Sequence, residues 1–188
     1  MRECESGIIQ IMGHVHIEDD LGNVLLDKAN AVHPENMSLI LARGLANESN
    51  YYISTIHLGN GGASVNSDAS ITYLPPNTTG GGADLYAEQY SEIVDDSDAG
   101  VGSNNSVTGA SGSGTTSVVT VSLELEAAEP ASQPTTDVGP GSEDDFAFDE
   151  IGLKSADGLL LSHIIFSPIL KSANRSITIT YTLTITVS

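Results

Sequence analysis

The 188-residue chain predicts a mainly β fold, a β-sandwich or jelly-roll-like body with one short amphipathic helix and long acidic or Ser/Gly-rich loops. Three observations lead there. Apolar and polar residues alternate with a period of two along several stretches, most cleanly at the C-terminal end. Helical spacing of apolar residues occurs in one stretch only. Between these stretches lie clusters of Gly, Pro, Ser and Asp that favour turns. Residues 1–188 read as a single β-rich domain of roughly seven to nine strands.

In chain order, Gly7 to Ile17 alternates and is rich in Ile and Val. It is followed by the turn signal Asp19-Asp20-Leu21-Gly22-Asn23 and a short apolar run, Val24 to Leu26, which together predict a hairpin. Pro34 stands at a first helical position with Glu35 behind it, and Met37, Ile40, Leu41 and Leu45 recur at helical spacing as far as Asn47. Tyr51 to Leu58 reads as a strand that ends on Gly59-Asn60-Gly61-Gly62, residues that tolerate positive φ in a tight turn. After the irregular stretches Tyr73 to Asn77 and Gly80 to Gly82, Ala83 to Val94 is expected as a strand with Leu85 and Tyr86 near the core.

Residues 95–114 hold almost nothing that could be buried and are predicted as a long loop or arm. Thr115 to Glu126 alternates, with Val119, Val121, Leu123 and Leu125 on one face. Residues 127–145 break the pattern with three prolines and five acids, a second long loop. Phe146 to Leu153 and Leu159 to Phe166 flank a turn at Asp157-Gly158. In the final strand, Arg175 to Val187, Ile177, Ile179, Tyr181, Leu183, Ile185 and Val187 share one face, and the threonines share the other with Ser176. A one-residue slip would exchange the faces, so the register is well specified.

Charge excludes whole classes of partner. The chain carries 25 acids against 6 cations, a net charge of −19, and 17 of the acids lie between Gly44 and Leu153, where no cation occurs. Nucleic acid and anionic membranes both require clustered Lys and Arg, so neither is an expected partner. No run approaches the roughly 20 apolar residues of a membrane span. Met1 to Glu5 lacks the basic and apolar regions of a secretory signal, which predicts synthesis in the cytoplasm. The single Cys4 cannot form an intramolecular disulfide. With 39% apolar residues the chain still supports a core.

No convergent chemistry is legible, so no catalytic residues and no cofactor are expected. His14 and His16 project from one strand face, compatible with a metal pair, but no third ligand can be placed beside them. His33 reads as a residue at the helix start, and His57 and His163 as histidines of apolar runs. Asp95, Asp96 and Asp98 resemble the opening of a calcium loop, yet Ser97, Ala99 and Ser106 stand where an EF-hand needs ligands. These three acids are weak candidates for divalent cations, and Glu143, Asp144, Asp145, Asp149 and Glu150 read the same way. Gly59 to Gly62 lacks the third glycine and following helix of a dinucleotide site, and Gly109-Ala110-Ser111-Gly112 misses the spacing of a nucleophile elbow.

The order of motifs resembles a group of tailed-bacteriophage virion structural proteins, similar in particular to marine phage proteins. The residues that carry the resemblance are Asn30-Ala31-Val32 closing the hairpin, the helix matching Ser38 to Ala46, and the strand Ile56-His57-Leu58 running into Gly59 to Gly62. Tyr73-Leu74-Pro75-Pro76-Asn77-Thr78 adds to it. So do Phe148-Asp149-Glu150-Ile151-Gly152-Leu153, Leu159 to Phe166, Pro168-Ile169-Leu170-Lys171-Ser172 and Ile177 to Val187. The resemblance implies a non-enzymatic virion component, at the tail, the head-to-tail region or the capsid. It would be made in the host cytoplasm and built into the particle by self-assembly and docking on other virion proteins.

A tail or head-to-tail accessory is the favoured expectation, with capsid decoration as its alternative. A carbohydrate- or cell-surface-binding module is the alternative of another class, poorly served by six Tyr, three Phe and no Trp. The expected interface residues are Thr178, Thr180, Thr182 and Thr184, whose face is neither charged nor strongly apolar. Asp95, Asp96, Asp98, Glu143, Asp144 and Asp145 are expected to meet a basic surface.

Overall fold

The computed structural model describes residues 7–94, 105–111, 114–127, 129–130, 145–172 and 174–188. In chain order the elements are β1 (Ile9–Asp19), β2 (Val24–Val32), α1 (Pro34–Leu45), β3 (Ile53–Gly59), β4 (Ala63–Val65), β5 (Ile71–Tyr73), β6 (Glu88–Ile93), β7 (Ser106–Ser111), β8 (Thr116–Leu125), β9 (Asp145–Ser155), β10 (Leu160–Ser172) and β11 (Ile177–Val187). Nine strands form one antiparallel sheet in the order β6-β3-β9-β10-β2-β1-β11-β8-β7, and β4 and β5 form a separate ribbon. The fold is mainly β with one helix.

The large sheet curls into a sandwich-like body, with β2 as the shared strand. β2 pairs with β1 from Gly13–Asn30 to Glu18–Val24, but with β10 only at Ser162–Val32 and His163–Ala31. The two halves, β6-β3-β9-β10 and β1-β11-β8-β7, thus turn their apolar faces toward each other. Ile56, Leu58, Ile151 and Leu153 from one half share a core with Val15, Ile17, Leu123, Ile179 and Tyr181 from the other. The Tyr181 hydroxyl spans the gap and donates to the carbonyl oxygen of Ile151 at 3.3 Å. Its burial pushes the phenol well above its ordinary value.

Helix α1 closes one end of the sandwich, with Met37 and Ile40 in the core. His33 caps it: Nδ1 accepts from the Asn36 N–H at 3.3 Å, which leaves the proton on Nε2 to face the Gly80 carbonyl at 3.1 Å. Leu45, expected on the apolar stripe, is 90% exposed. The apolar face of β11 is buried from Ile177 to Leu183, whereas Ile185 is half-buried and Val187 exposed. The core therefore runs out toward the chain end.

Several sequence expectations are corrected. Residues 106–111 of the expected loop at 95–114 are an edge strand, because Ser106 to Ser111 pairs main chain with β8 and an edge strand needs few apolar side chains. Of the expected loop at 127–145, Asp145 opens β9 opposite Ser172. The stretch Pro168 to Ser172 is the second half of β10. Pairing resumes there after a register shift between Ile165 and Ile169, and Pro168, which has no N–H to donate, sits inside that break. The strand expected over Ala83 to Val94 begins only at Glu88, with Leu85 buried and Tyr86 exposed. The β4–β5 ribbon was not anticipated. None of Gly59, Gly61 and Gly62 has positive φ. A Cβ on Gly59 would instead stand 2.6 Å from the Ala87 carbonyl oxygen and 2.5 Å from Glu150 Oε1, so close approach is what requires glycine there.

Candidate functional site: the threonine face and the clamped loop

Thr178, Thr180, Thr182 and Thr184 lie as expected on the outer face of β11, each half-buried. Because β11 is central, the register extends their surface over neighbouring strands. Thr178 stands between Glu18 and Glu124, Thr180 between His16 and Ser122, Thr182 between His14 and Thr120, and Thr184 between Met12 and Val118. Ser106 and Thr108 of β7 continue the rows. The face grades from acidic at the Thr178 end to apolar at the Thr184 end, where Met12 is exposed. Its middle rows join the imidazoles of His14 and His16 to hydroxyls on stiff β-branched or short side chains, which need little ordering before they meet a partner.

The histidines on this face converge on a carboxylate. His14 Nε2 lies 2.7 Å from Asp27 Oδ1, His16 Nδ1 lies 3.2 Å from Asp27 Oδ2, and Glu18 is 3.6 Å from His16 Nε2. No group of three or more such side chains is disposed to hold a metal ion among the described residues. Asp95, Asp96, Asp98, Glu143 and Asp144 lie outside the described residues, as does the side chain of Asp145.

The outer face of the other half is covered by the chain's own loops, and the cover is fastened by residues read as solvated acids or apolar-run histidines. Glu150, fully buried, accepts at Oε1 from the N–H groups of Gly61 (3.2 Å) and Ala87 (2.8 Å), and at Oε2 from Tyr86 N–H (2.9 Å) and His163 Nε2 (3.0 Å). His163 Nδ1 accepts from Asn77 N–H at 2.9 Å, so its proton sits on Nε2, facing Glu150. Burial pushes the Glu150 carboxyl up, but His163 and the three amides outweigh it and hold it below its ordinary range. Asp149 accepts from Gly62 and Ala63 N–H, each at 2.9 Å. These two acids are loop anchors, which corrects the reading of them as cation-attracting loop charges. Gly152 completes the arrangement, since a Cβ there would stand 2.4 Å from Leu85 Cδ1.

A second polar cluster sits beside it. Lys154 Nζ lies 2.6 Å from Asp84 Oδ1 and 3.1 Å from Glu88 Oε2, and Glu88 Oε2 is also 2.9 Å from His57 Nδ1. Burial and the neighbouring ammonium push the His57 imidazole below its ordinary value. Sequence reasoning missed this cluster, because period-two spacing shows only that His57 and Lys154 point away from the core. In β10, Lys171 is buried and donates to the Glu126 carbonyl at 2.7 Å, tying the end of β8 to β10 in the opposite half. Searches against protein families, characterised proteins and solved structures found no match.

Proposed function

We propose that this protein is a non-enzymatic structural subunit of a tailed-phage virion, at the tail or head-to-tail region, that assembles with copies of itself through the threonine face. The observation that carries the reading is that face: four or more strands wide and rich in hydroxyls, with Glu18 and Glu124 at one end and the His14–His16–Asp27 cluster along one side. Such a surface leaves a free subunit soluble and still offers a rigid, flat area for a symmetric contact. The motif order quoted above supports the virion context. All five histidines contact the chain's own loops or side chains, which suits a structural role.

Mass spectrometry of separated heads and tails tests the station, and absence from purified particles refutes the reading. Sedimentation of the free protein and of released subunits tests assembly; a strict monomer in both refutes the self-contact. Docking through Asp95, Asp96, Asp98, Glu143, Asp144 and Asp145 should weaken between about 0.1 M and 1 M salt, as the Debye length falls from about 10 Å to about 3 Å. Salt-independent docking would remove these acids from the interface.

A further inference from the structure

The ladder between β1 and β2 stops early. Its last pair is Gly13–Asn30, while β1 continues back to Ile9 in pairing with β11 alone. Ile8 and Ser188 exchange both backbone hydrogen bonds, at 2.7 and 3.0 Å. Even-numbered residues of β1 therefore aim their main-chain groups at β11, and odd-numbered ones at the β2 side. The N–H and C=O of Ile9 and Ile11 point to that open side, where no strand among the described residues pairs with them. β2 has by then left toward β10, and α1 stands opposite.

The space so formed is a cleft of about 770 Å³ between the β1 edge, Val32 and the helix residues Met37, Leu41 and Ala42. Among the described residues no charged side chain lines it, in a chain of net charge −19. Ile9 at its mouth is 58% exposed. An apolar cleft with an unpaired strand edge along one wall has the two features that bind an extended peptide: main-chain groups to pair and an apolar trough for alternate side chains.

We propose that this cleft takes an extended, uncharged or basic segment of a different polypeptide, added as a strand beside Ile9 and Ile11. A second copy of this chain is a poor source. Its alternating apolar stretches are already strands of its own sheet, and residues 1–6, 95–104 and 131–144 hold no more than one Val, Ile, Leu or Phe apiece. The proposal stands on strand pairing and holds whether or not the protein is a virion subunit.

The test is amide hydrogen exchange at Ile9 and Ile11, read by NMR. The probe is a capped ten-residue peptide of alternating valine and threonine with a lysine at each end, used at about 1 mM, within reach of a weak groove binder. Exchange at both amides should slow about tenfold or more, while the amides of Ile179 and Tyr181 stay as they were. Ala42→Trp, which fills the cleft from the helix side, should abolish the effect and leave exchange at Ile179 unchanged. No slowing at Ile9 and Ile11, or slowing that survives Ala42→Trp, overturns the proposal. Slowing that tracks protein concentration without peptide overturns it in favour of a second copy. Shifts produced by decyl maltoside but not by the peptide overturn it in favour of an amphiphile.

Discussion

Replacing Glu150 by Ala tests whether one buried carboxylate holds the loop over the β3–β9–β10 face. The side chain receives four hydrogen bonds, three from main-chain N–H groups of Gly61, Tyr86 and Ala87 and one from His163. Each buried donor left without a partner costs about 1–3 kcal/mol, and removing one side of a buried pair costs about 3–5 kcal/mol, so about 4 kcal/mol is expected once water reaches some of the freed amides. That is a large share of the roughly 5–15 kcal/mol net stability of a domain. Urea unfolding should show the loss, and native-state hydrogen exchange should place it, with Tyr86 and Ala87 exchanging freely while Tyr181 and Leu123 change only as global stability falls.

The dependence on pH has a definite sign. The folded carboxyl titrates below its unfolded value near 4.5, so its contribution is complete above that value and is lost as pH falls through the folded one. Glu150→Gln should remove this share of the acid slope. A loss under about 1 kcal/mol, with protection at Tyr86 and Ala87 intact, would refute the clamp.

Three further outcomes follow from the same geometry. Ile179→Asp with Leu183→Asp places two carboxylates in the core and should abolish the soluble fold, whereas Thr180→Asp with Thr184→Asp should fold normally and fail to assemble in sedimentation; like behaviour of the two pairs would contradict the face assignment. Gly152→Ala should cost about 1–3 kcal/mol by denaturation, because its Cβ meets Leu85 Cδ1 at 2.4 Å and Leu160 Cδ1 at 2.8 Å in a filled space. The His57 imidazole, read by NMR, should titrate below 6.5; with the folded value lowered, stability rises with pH across the window between the folded value and 6.5, and His57→Gln should flatten that rise.

The sequence shows most clearly those elements whose side chains alternate between water and core. β11, β8, the β1–β2 turn at Asp19 and the helix from Pro34 were readable for that reason. β7 was not, since Ser106 to Ser111 owes its conformation to main-chain bonds from β8 that leave no trace in hydropathy. The β4–β5 ribbon escaped for a similar reason: its strands are three residues each, too short to show a period. At the site, the Thr178 to Thr184 row was visible as an alternation, but its neighbours His14, His16 and Ser122 required the register. Asp149 and Glu150 were misread because composition cannot tell an acid in water from one that accepts main-chain hydrogen bonds. The one hint was position, since both sit within a strand flanked by Phe148 and Ile151 rather than in a Gly/Ser run.

The two outer faces of the sandwich are finished differently. On the β3–β9–β10 half, the faces of Glu150, Gly152 and His163 lie under residues from 60 to 87, with Leu85 over Gly152 and the Tyr86 ring 5.8 Å from His163. That half spends two buried acids and a buried histidine on holding its own cover. The β1–β11–β8 half has no such cover among the described residues, and its outward side chains are mostly Thr and Ser. If copies meet through this face, its hydroxyl rows would place little charge at the contact, while Glu18, Glu124 and Asp27 at its margins would restrict which registers bring two copies together. The same logic separates the face from the cleft beside Ile9, because a flat hydroxyl surface suits a symmetric contact and an open strand edge suits a single inserted chain.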